Sequence, residues 1–143
     1  MLTIRPEQLE AFSPLAEAAF ARRVVEYLRE NHADEPVTLA AGELPVKDVD
    51  DATLFRLVRG GIERAGSYGM TWESTITAFV VIMFTVAPNF DEHPLIRRAL
   101  TDARFEPNER LDAIWDSTTN ENWEAARASY DPGAWVSADE KKG

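Results

Sequence analysis

The sequence predicts an all-α fold, a single compact bundle of about five to six helices around a buried central helix at residues 71–87. The 143 residues are 45% hydrophobic, which is enough for one domain with one core. The chain has no cysteine, so packing must stabilise it without disulfides or thiolate zinc sites. Several stretches of helical periodicity begin or end at capping residues or prolines. We expect a domain over residues 1–136 and a disordered tail over 137–143.

The first helical segment is expected to start at Pro6 and to break at Ser13, which can cap a new helix with Pro14 in its first turn. That helix continues to about Asn31, with apolar residues on one face and charged residues on the other. The apolar positions are Leu15, Ala19, Phe20, Val24, Tyr27 and Leu28. This pattern predicts an amphipathic helix.

Residues 33–50 contain two prolines and a glycine, and they predict a long acidic loop. Asp50 or Asp51 then caps a second helix, which ends near Gly69, a residue suited to a left-handed C-terminal turn. Gly60 and Gly61 lie inside that helix, where each glycine costs about 1 kcal/mol relative to alanine. We expect another helix, such as the third, to approach closely there.

Thr71 is the predicted N-cap of the central helix. The apolar run that follows, residues 78–84, is too short for a membrane span, which needs about 20 residues. A buried strand is the alternative, but the cap and the length favour a helix buried on nearly all sides. Shorter helices are predicted at 94–100 and at 107–115, and Asn120 is the predicted N-cap of a last helix that ends before Asp131.

The charge argues against a nucleic acid partner. The formal net charge is −10, and phosphate-backbone binding depends on clustered Lys and Arg, so we expect no nucleic acid partner and no affinity for anionic lipid. The excess lies in residues 34–53 and 106–143. It serves either solubility or an acidic face for a basic protein. The N-terminus lacks a secretory signal pattern, which predicts a cytoplasmic protein without membrane insertion.

The sequence offers little catalytic chemistry. His32 and His93 are not at metal-ligand spacing. His93 with Asp91 and Glu92 could form an acid–base or metal group, but an exposed turn beside proline also explains all three. Residues 48–51 hold three acids like half of a calcium loop, yet the required glycine and distal glutamate are missing. We therefore predict no enzymatic activity, no cofactor and no metal.

The tryptophans suggest a contact surface, because Trp often anchors interface hot spots. Trp72 begins the central helix, whereas the other three lie in the acidic C-terminal quarter. Trp115 and Trp123 could instead close a small terminal core, while Trp135 follows a Pro-Gly turn near the chain end. The predicted protein-binding residues are Trp115, Trp123, Trp135, Asp48, Asp50 and Asp51.

Three stretches resemble a group of small helical bacterial proteins encoded with type VI secretion spike and effector genes. They are residues 2–9 (LTIRPEQL), residues 57–65 (LVRGGIERA) with Tyr68-Gly69, and Met83-Phe84 with residues 89–91 (NFD). The resemblance covers about residues 1–115. It implies no enzymatic role, only an accessory part in toxin delivery or neutralisation.

The leading hypothesis is a non-catalytic protein-binding accessory factor, an adaptor or chaperone for a secreted effector or spike component. Such a protein acts by occupancy. The first alternative is an immunity protein that blocks a cognate toxin, since an acidic surface also fits a basic active-site cleft. The alternative from another class is a small hydrolase that uses Asp91 and His93.

Overall fold

A computed structural model describes residues 14–135. The helix start expected at Pro6, the N-cap Ser13 and the tail at 137–143 lie outside this range. Within it the fold is mainly helical, with six α-helices and one two-stranded sheet. The elements are α1 (Pro14–Asn31), β1 (Pro36–Leu39), β2 (Gly42–Pro45), α2 (Asp51–Ser67), α3 (Glu73–Thr85), α4 (Pro94–Leu100), α5 (Arg110–Ser117) and α6 (Asn120–Ala128).

The segment predicted as a long acidic loop, residues 33–50, contains a β-hairpin at residues 36–45 that is followed by a 3-10 turn, Val46–Asp48. β1 and β2 pair antiparallel, with Pro36 opposite Pro45 and Leu39 opposite Gly42. Val37 on β1 is fully buried, so the hairpin packs on the helical core. A purely all-α fold is therefore wrong in this region. Strands of four residues are too short to show a clear alternation of apolar and polar residues, and their terminal prolines look like loop signals.

The ends of α2 follow the sequence prediction. The Asp50 carboxylate accepts a hydrogen bond from the backbone N–H of Thr53 at 3.0 Å, which confirms an acidic N-cap. At the other end Gly69 has a φ of +89°, so the predicted left-handed turn after the helix is also confirmed.

The two glycines inside α2 face different neighbours. A Cβ at Gly61 would lie 3.0 Å from Cγ2 of Val80 and 3.1 Å from Sδ of Met83, both on α3. The expected close approach of the third helix is thus confirmed for Gly61. A Cβ at Gly60 would instead lie 2.9 Å from the carbonyl oxygen of Trp135, near the C-terminal end of the described chain.

The apolar run forms a helix, as predicted, but its N-terminus is capped differently. α3 begins at Glu73, so Thr71 is not the N-cap, and the residue at that position, Trp72, makes no side-chain cap hydrogen bond. Oδ1 of Asn108 accepts hydrogen bonds from the backbone N–H groups of Thr71 and Trp72, each at 2.9 Å. The α3 N-terminus is therefore capped from a distant part of the chain.

The later helices differ from the predictions mainly at their ends. α4 occupies the predicted residues 94–100. The segment predicted to begin at residue 107 starts with a 3-10 turn at Pro107–Glu109 before α5. Thr119, in a capping box with Asn122, caps α6, and Asn120 is its first helical residue. None of the helices between residues 14 and 135 combines the length and apolar character that crossing a membrane requires.

Candidate protein-binding groove

α3 has one stripe of solvent-accessible residues, and these residues form the floor of a groove. Ser74, Thr77, Ala78 and Val81 are accessible, whereas the residues on the other sides of the helix between them are buried. Their spacing, i, i+3, i+4 and i+7, places them on one face. Because Ser74, Thr77 and Ala78 are small, the floor lies near the helix backbone and lets another chain approach the helix closely.

Two exposed aromatic residues border this floor. Tyr27 on α1 is 44% exposed, and Trp115 on α5 is 56% exposed. Leu111 and Asp112 lie on α5 with Trp115 and form the same side of the groove, and Ile82 on α3 extends the floor. The groove has a volume of about 500 Å³ and is open along one side. We refer to it, with these lining residues, as the Tyr27–Trp115 groove.

Trp115 is exposed but held in place. Its ring stacks on Trp123 with centroids 5.0 Å apart, and Trp123 stacks on the fully buried Phe90 at 6.0 Å. Nε1 of Trp123 donates to Oγ1 of Thr118 at 3.0 Å, which fixes the supporting ring. A side chain that is already ordered loses little conformational entropy when it binds a partner.

The border of the groove is acidic. Asp112 lines it and has no ion-pair partner among residues 14–135. Exposed Asp116 follows Trp115, and exposed Glu30 lies one turn beyond Tyr27 on α1. The nearby Arg23 is already engaged, because its guanidinium lies 3.0 Å from the Glu73 carboxylate. Asp112, Asp116 and Glu30 therefore give this border of the groove negative charge.

The structure separates the three tryptophans that the sequence grouped. Trp115 lies at the groove and half-buried Trp123 supports it from behind. Trp135 is only 2% exposed, packs 4.6 Å from the Phe84 ring and donates from Nε1 to the Tyr130 hydroxyl at 3.0 Å. The expectation of a surface position for Trp135 is wrong, because Ala134 and Trp135, which follow the Pro-Gly turn directly, are both buried against the core.

The predicted acidic residues near residue 50 do not line the groove. The hydrogen bonds from Thr53 that make Asp50 a helix cap also hold the pKa of its carboxyl below the ordinary value. Asp51 accepts a hydrogen bond from Arg29 at 2.7 Å. Asp48 is exposed in the 3-10 turn Val46–Asp48. Capping and a local ion pair thus account for two of these three residues.

Asp91 and His93 serve local structure. Asp91 is 2% exposed, and its two carboxylate oxygens accept hydrogen bonds from Nε of Arg64 at 2.8 Å and from the Tyr68 hydroxyl at 2.7 Å. Burial, together with the hydrogen bond to Asp91, raises the pKa of Tyr68 to about 12. His93 caps α4, because its Nδ1 accepts from the backbone N–H of Leu95. Within residues 14–135 no three His, Asp or Glu side chains are grouped to hold a metal ion.

Two parts of the groove were missed from the sequence. Tyr27 belongs to the apolar pattern of α1, but it lies at the border of that face, beside the fully buried Leu28. The stripe on α3 was hidden by the overall apolar character of the helix. Its signal was the small size of Ser74, Thr77 and Ala78, which lie at positions i, i+3 and i+4 of the helix.

Comparison with protein-family models, curated proteins and solved structures found no match to this chain. We therefore infer the function from the groove and the residues that surround it.

Proposed function

We propose that the protein is a cytoplasmic, non-catalytic protein-binding factor that holds an apolar segment of a partner in the Tyr27–Trp115 groove. The observation that carries the proposal is Trp115, which is 56% exposed and yet fixed by stacking on Trp123. Burial of apolar surface on a partner is favourable, and tryptophan is enriched among the residues that dominate interfaces.

The chemistry of the groove favours a protein segment over a small molecule. Its volume falls in the range of ligand pockets, about 300–1,000 Å³, but small-molecule sites combine enclosure with a few convergent polar groups. This groove is open, and the Thr77 hydroxyl on its floor already donates to the Glu73 carbonyl oxygen at 2.7 Å. The main features left to a ligand are apolar surface, two aromatic rings and negative charge.

The resemblance to proteins encoded with type VI secretion genes suggests the partner class. We propose a secreted effector or spike component as the partner, with this chain as an adaptor or chaperone that acts by occupancy. An immunity protein is the alternative. The acidic border of the groove favours an immunity role if the toxin has a basic active-site cleft, because the two charges are complementary.

Replacement of Trp115 tests whether the groove binds the partner. Wild-type protein is used to recover the partner from the native host, and the affinity of the purified pair is then measured by calorimetry. Trp115→Ala should weaken binding at least tenfold, which corresponds to about 1.4 kcal/mol. Circular dichroism establishes that the variant is folded.

Phe105→Ala is the matched control, because Phe105 is also an exposed aromatic residue but does not line the groove. It should leave the affinity unchanged. Equal affinities for wild-type protein and Trp115→Ala would show that the groove is not the binding site.

The role is tested on the same complex. If the partner is a toxin whose activity is lost in the complex and restored by Trp115→Ala, the protein is an immunity protein. If the partner keeps its activity and its export falls in cells that carry Trp115→Ala, the protein is an adaptor.

A further inference from the structure

We infer that the occupant of the Tyr27–Trp115 groove is an amphipathic α-helix of a second protein, with an apolar stripe facing α3 and a Lys or Arg beside Asp112. This inference rests on the proposed function and names the partner of the same site.

The floor of the groove points to a helix because it is itself one face of a helix. Beyond the first turn of α3, each backbone N–H is bonded to a carbonyl one turn earlier in the helix, so the floor offers no row of free backbone groups to an extended segment. A segment buried there must satisfy its own backbone hydrogen bonds, since unpaired buried backbone groups are costly. An α-helix does this without help from the groove.

The hairpin does not supply such an edge in place of α3. The backbone N–H of Thr38, on the outer side of β1, donates to the Tyr130 hydroxyl at 3.0 Å. On the outer side of β2, Pro45 has no N–H to donate. Strand addition to the sheet is therefore disfavoured on both sides, and neither strand lines the groove.

The size and spacing of the floor residues fit helix packing. Ser74 and Ala78 are one turn apart, and small side chains there allow a second helix to pack at the short end of the usual interaxial range, about 8–10 Å. The floor from Ser74 to Ile82 is about 12 Å long, the rise of eight residues. That length matches large apolar residues at positions i, i+4 and i+7 of a docked helix.

The charge around the groove indicates which charged residues should flank the apolar stripe of the bound helix. Asp112 lines the groove without an ion-pair partner in the described part of the chain. Exposed Asp116 lies one turn after Asp112 on α5, and exposed Glu30 lies one turn after Tyr27 on α1. A Lys or Arg next to the apolar stripe of the occupant pairs with Asp112, whereas an acidic flank is repelled.

A displayed peptide library tests this inference. The probes are helices of about 15 residues with randomised apolar and flanking positions, constrained by side-chain lactams because isolated helices of that length are marginal in water. The full chain is the bait. Peptides that also bind Ala78→Glu are removed, since a glutamate on the floor blocks the groove. Ala52→Glu is the matched control, as Ala52 is an exposed helical alanine of α2 outside the groove.

The expected result is enrichment of peptides with an apolar i, i+4, i+7 stripe and a basic flank. Each should bind Ala52→Glu like wild type and should lose at least tenfold in affinity on Ala78→Glu. A proline at the centre of the peptide, which breaks the helix, should also cost at least tenfold. Asp112→Lys should weaken binding about two- to fivefold, and a Lys→Glu change in the peptide should restore it.

Three results would overturn the inference. A helix is excluded as the occupant if no peptide binds the wild-type chain better than the Ala78→Glu variant. It is also excluded if the proline-containing peptides bind as tightly as the selected peptides from which they are derived. Self-association of the full chain in sedimentation that Ala78→Glu abolishes makes the occupant a second copy of this chain. The proposed function fails separately, when the affinity for the natural partner does not change with Trp115→Ala.

Discussion

At the scale of single residues, the two adjacent glycines of α2 show what a sequence reveals and what it does not. Glycine inside a helix indicates a neighbour that leaves no room for a side chain, and for Gly61 that neighbour is the expected α3. For Gly60 it is the backbone carbonyl of Trp135, 75 residues further along the chain. The presence of a close contact could be predicted, but the partner of Gly60 depended on the path of the C-terminal segment.

Substitution of Gly60 tests that contact. Gly60→Ala places a Cβ 2.9 Å from the Trp135 carbonyl oxygen, closer than real Cβ atoms come, so backbone must shift. We expect the free energy of unfolding to fall by about 1–3 kcal/mol, as for other overpacked sites. Urea unfolding followed by circular dichroism measures the change.

Gly66 provides the control in the same helix. A Cβ there meets no atom within 4 Å, so Gly66→Ala should raise the free energy of unfolding by about 0.5–1 kcal/mol through helix propensity alone. If the two substitutions have the same effect, the contact between Gly60 and Trp135 does not constrain the fold.

The candidate site could be predicted only in part at this scale. Trp115 was identified from its residue type, but the type alone did not distinguish it from Trp123 or Trp135. Their exposures differ because α5 presents Trp115 outward while the chain after α6 turns Trp135 against Phe84. Such differences arise from the rotation of a helix and the path of a terminus, which no local pattern specifies.

At the scale of elements, boundaries set by local signals were predictable and those set by distant residues were not. Proline at the first position fixed the start of α4, and Gly69 fixed the end of α2. The start of α3 was misplaced because its cap comes from Asn108, 37 residues after Thr71. The hairpin was missed because its strands have only four residues each.

Replacement of Asn108 tests the distant cap of α3. Asn108→Ala removes the acceptor of two backbone N–H groups, and we expect the free energy of unfolding to fall by about 1 kcal/mol, as on loss of an N-cap. Asn108→Asp keeps an acceptor and places negative charge at the positive end of the helix dipole, so it should lose less. Thermal and urea unfolding both report the change.

The control is Asn120→Ala, which changes an exposed asparagine at the first position of α6. Its effect should be smaller than that of Asn108→Ala. A loss with Asn108→Asp as large as the loss with alanine would contradict the capping role of Oδ1.

At the scale of the whole molecule, the segment from Tyr130 to Trp135 joins parts of the chain that are far apart in sequence. The Tyr130 hydroxyl bonds both backbone groups of Thr38 on β1, at 3.0 and 3.4 Å. The Trp135 ring packs on Phe84 of α3, and the backbone carbonyl oxygen of Trp135 lies over Gly60 of α2. The C-terminal end of the described chain therefore links the sheet to the helical core.

Trp135→Ala separates this structural role from partner binding. The substitution removes a side chain that is 2% exposed, together with its hydrogen bond to Tyr130, and we expect a loss of about 3–5 kcal/mol in the free energy of unfolding. Because Trp135 does not line the Tyr27–Trp115 groove, the folded fraction of the variant should bind the partner with wild-type affinity. Trp115→Ala should show the reverse pattern, with a smaller loss of stability and at least tenfold weaker binding. Urea unfolding and calorimetry on both variants, under conditions in which each is folded, measure the two effects independently. An unchanged unfolding midpoint for Trp135→Ala would contradict its place in the core, and weaker binding by its folded fraction would extend the interface beyond the groove.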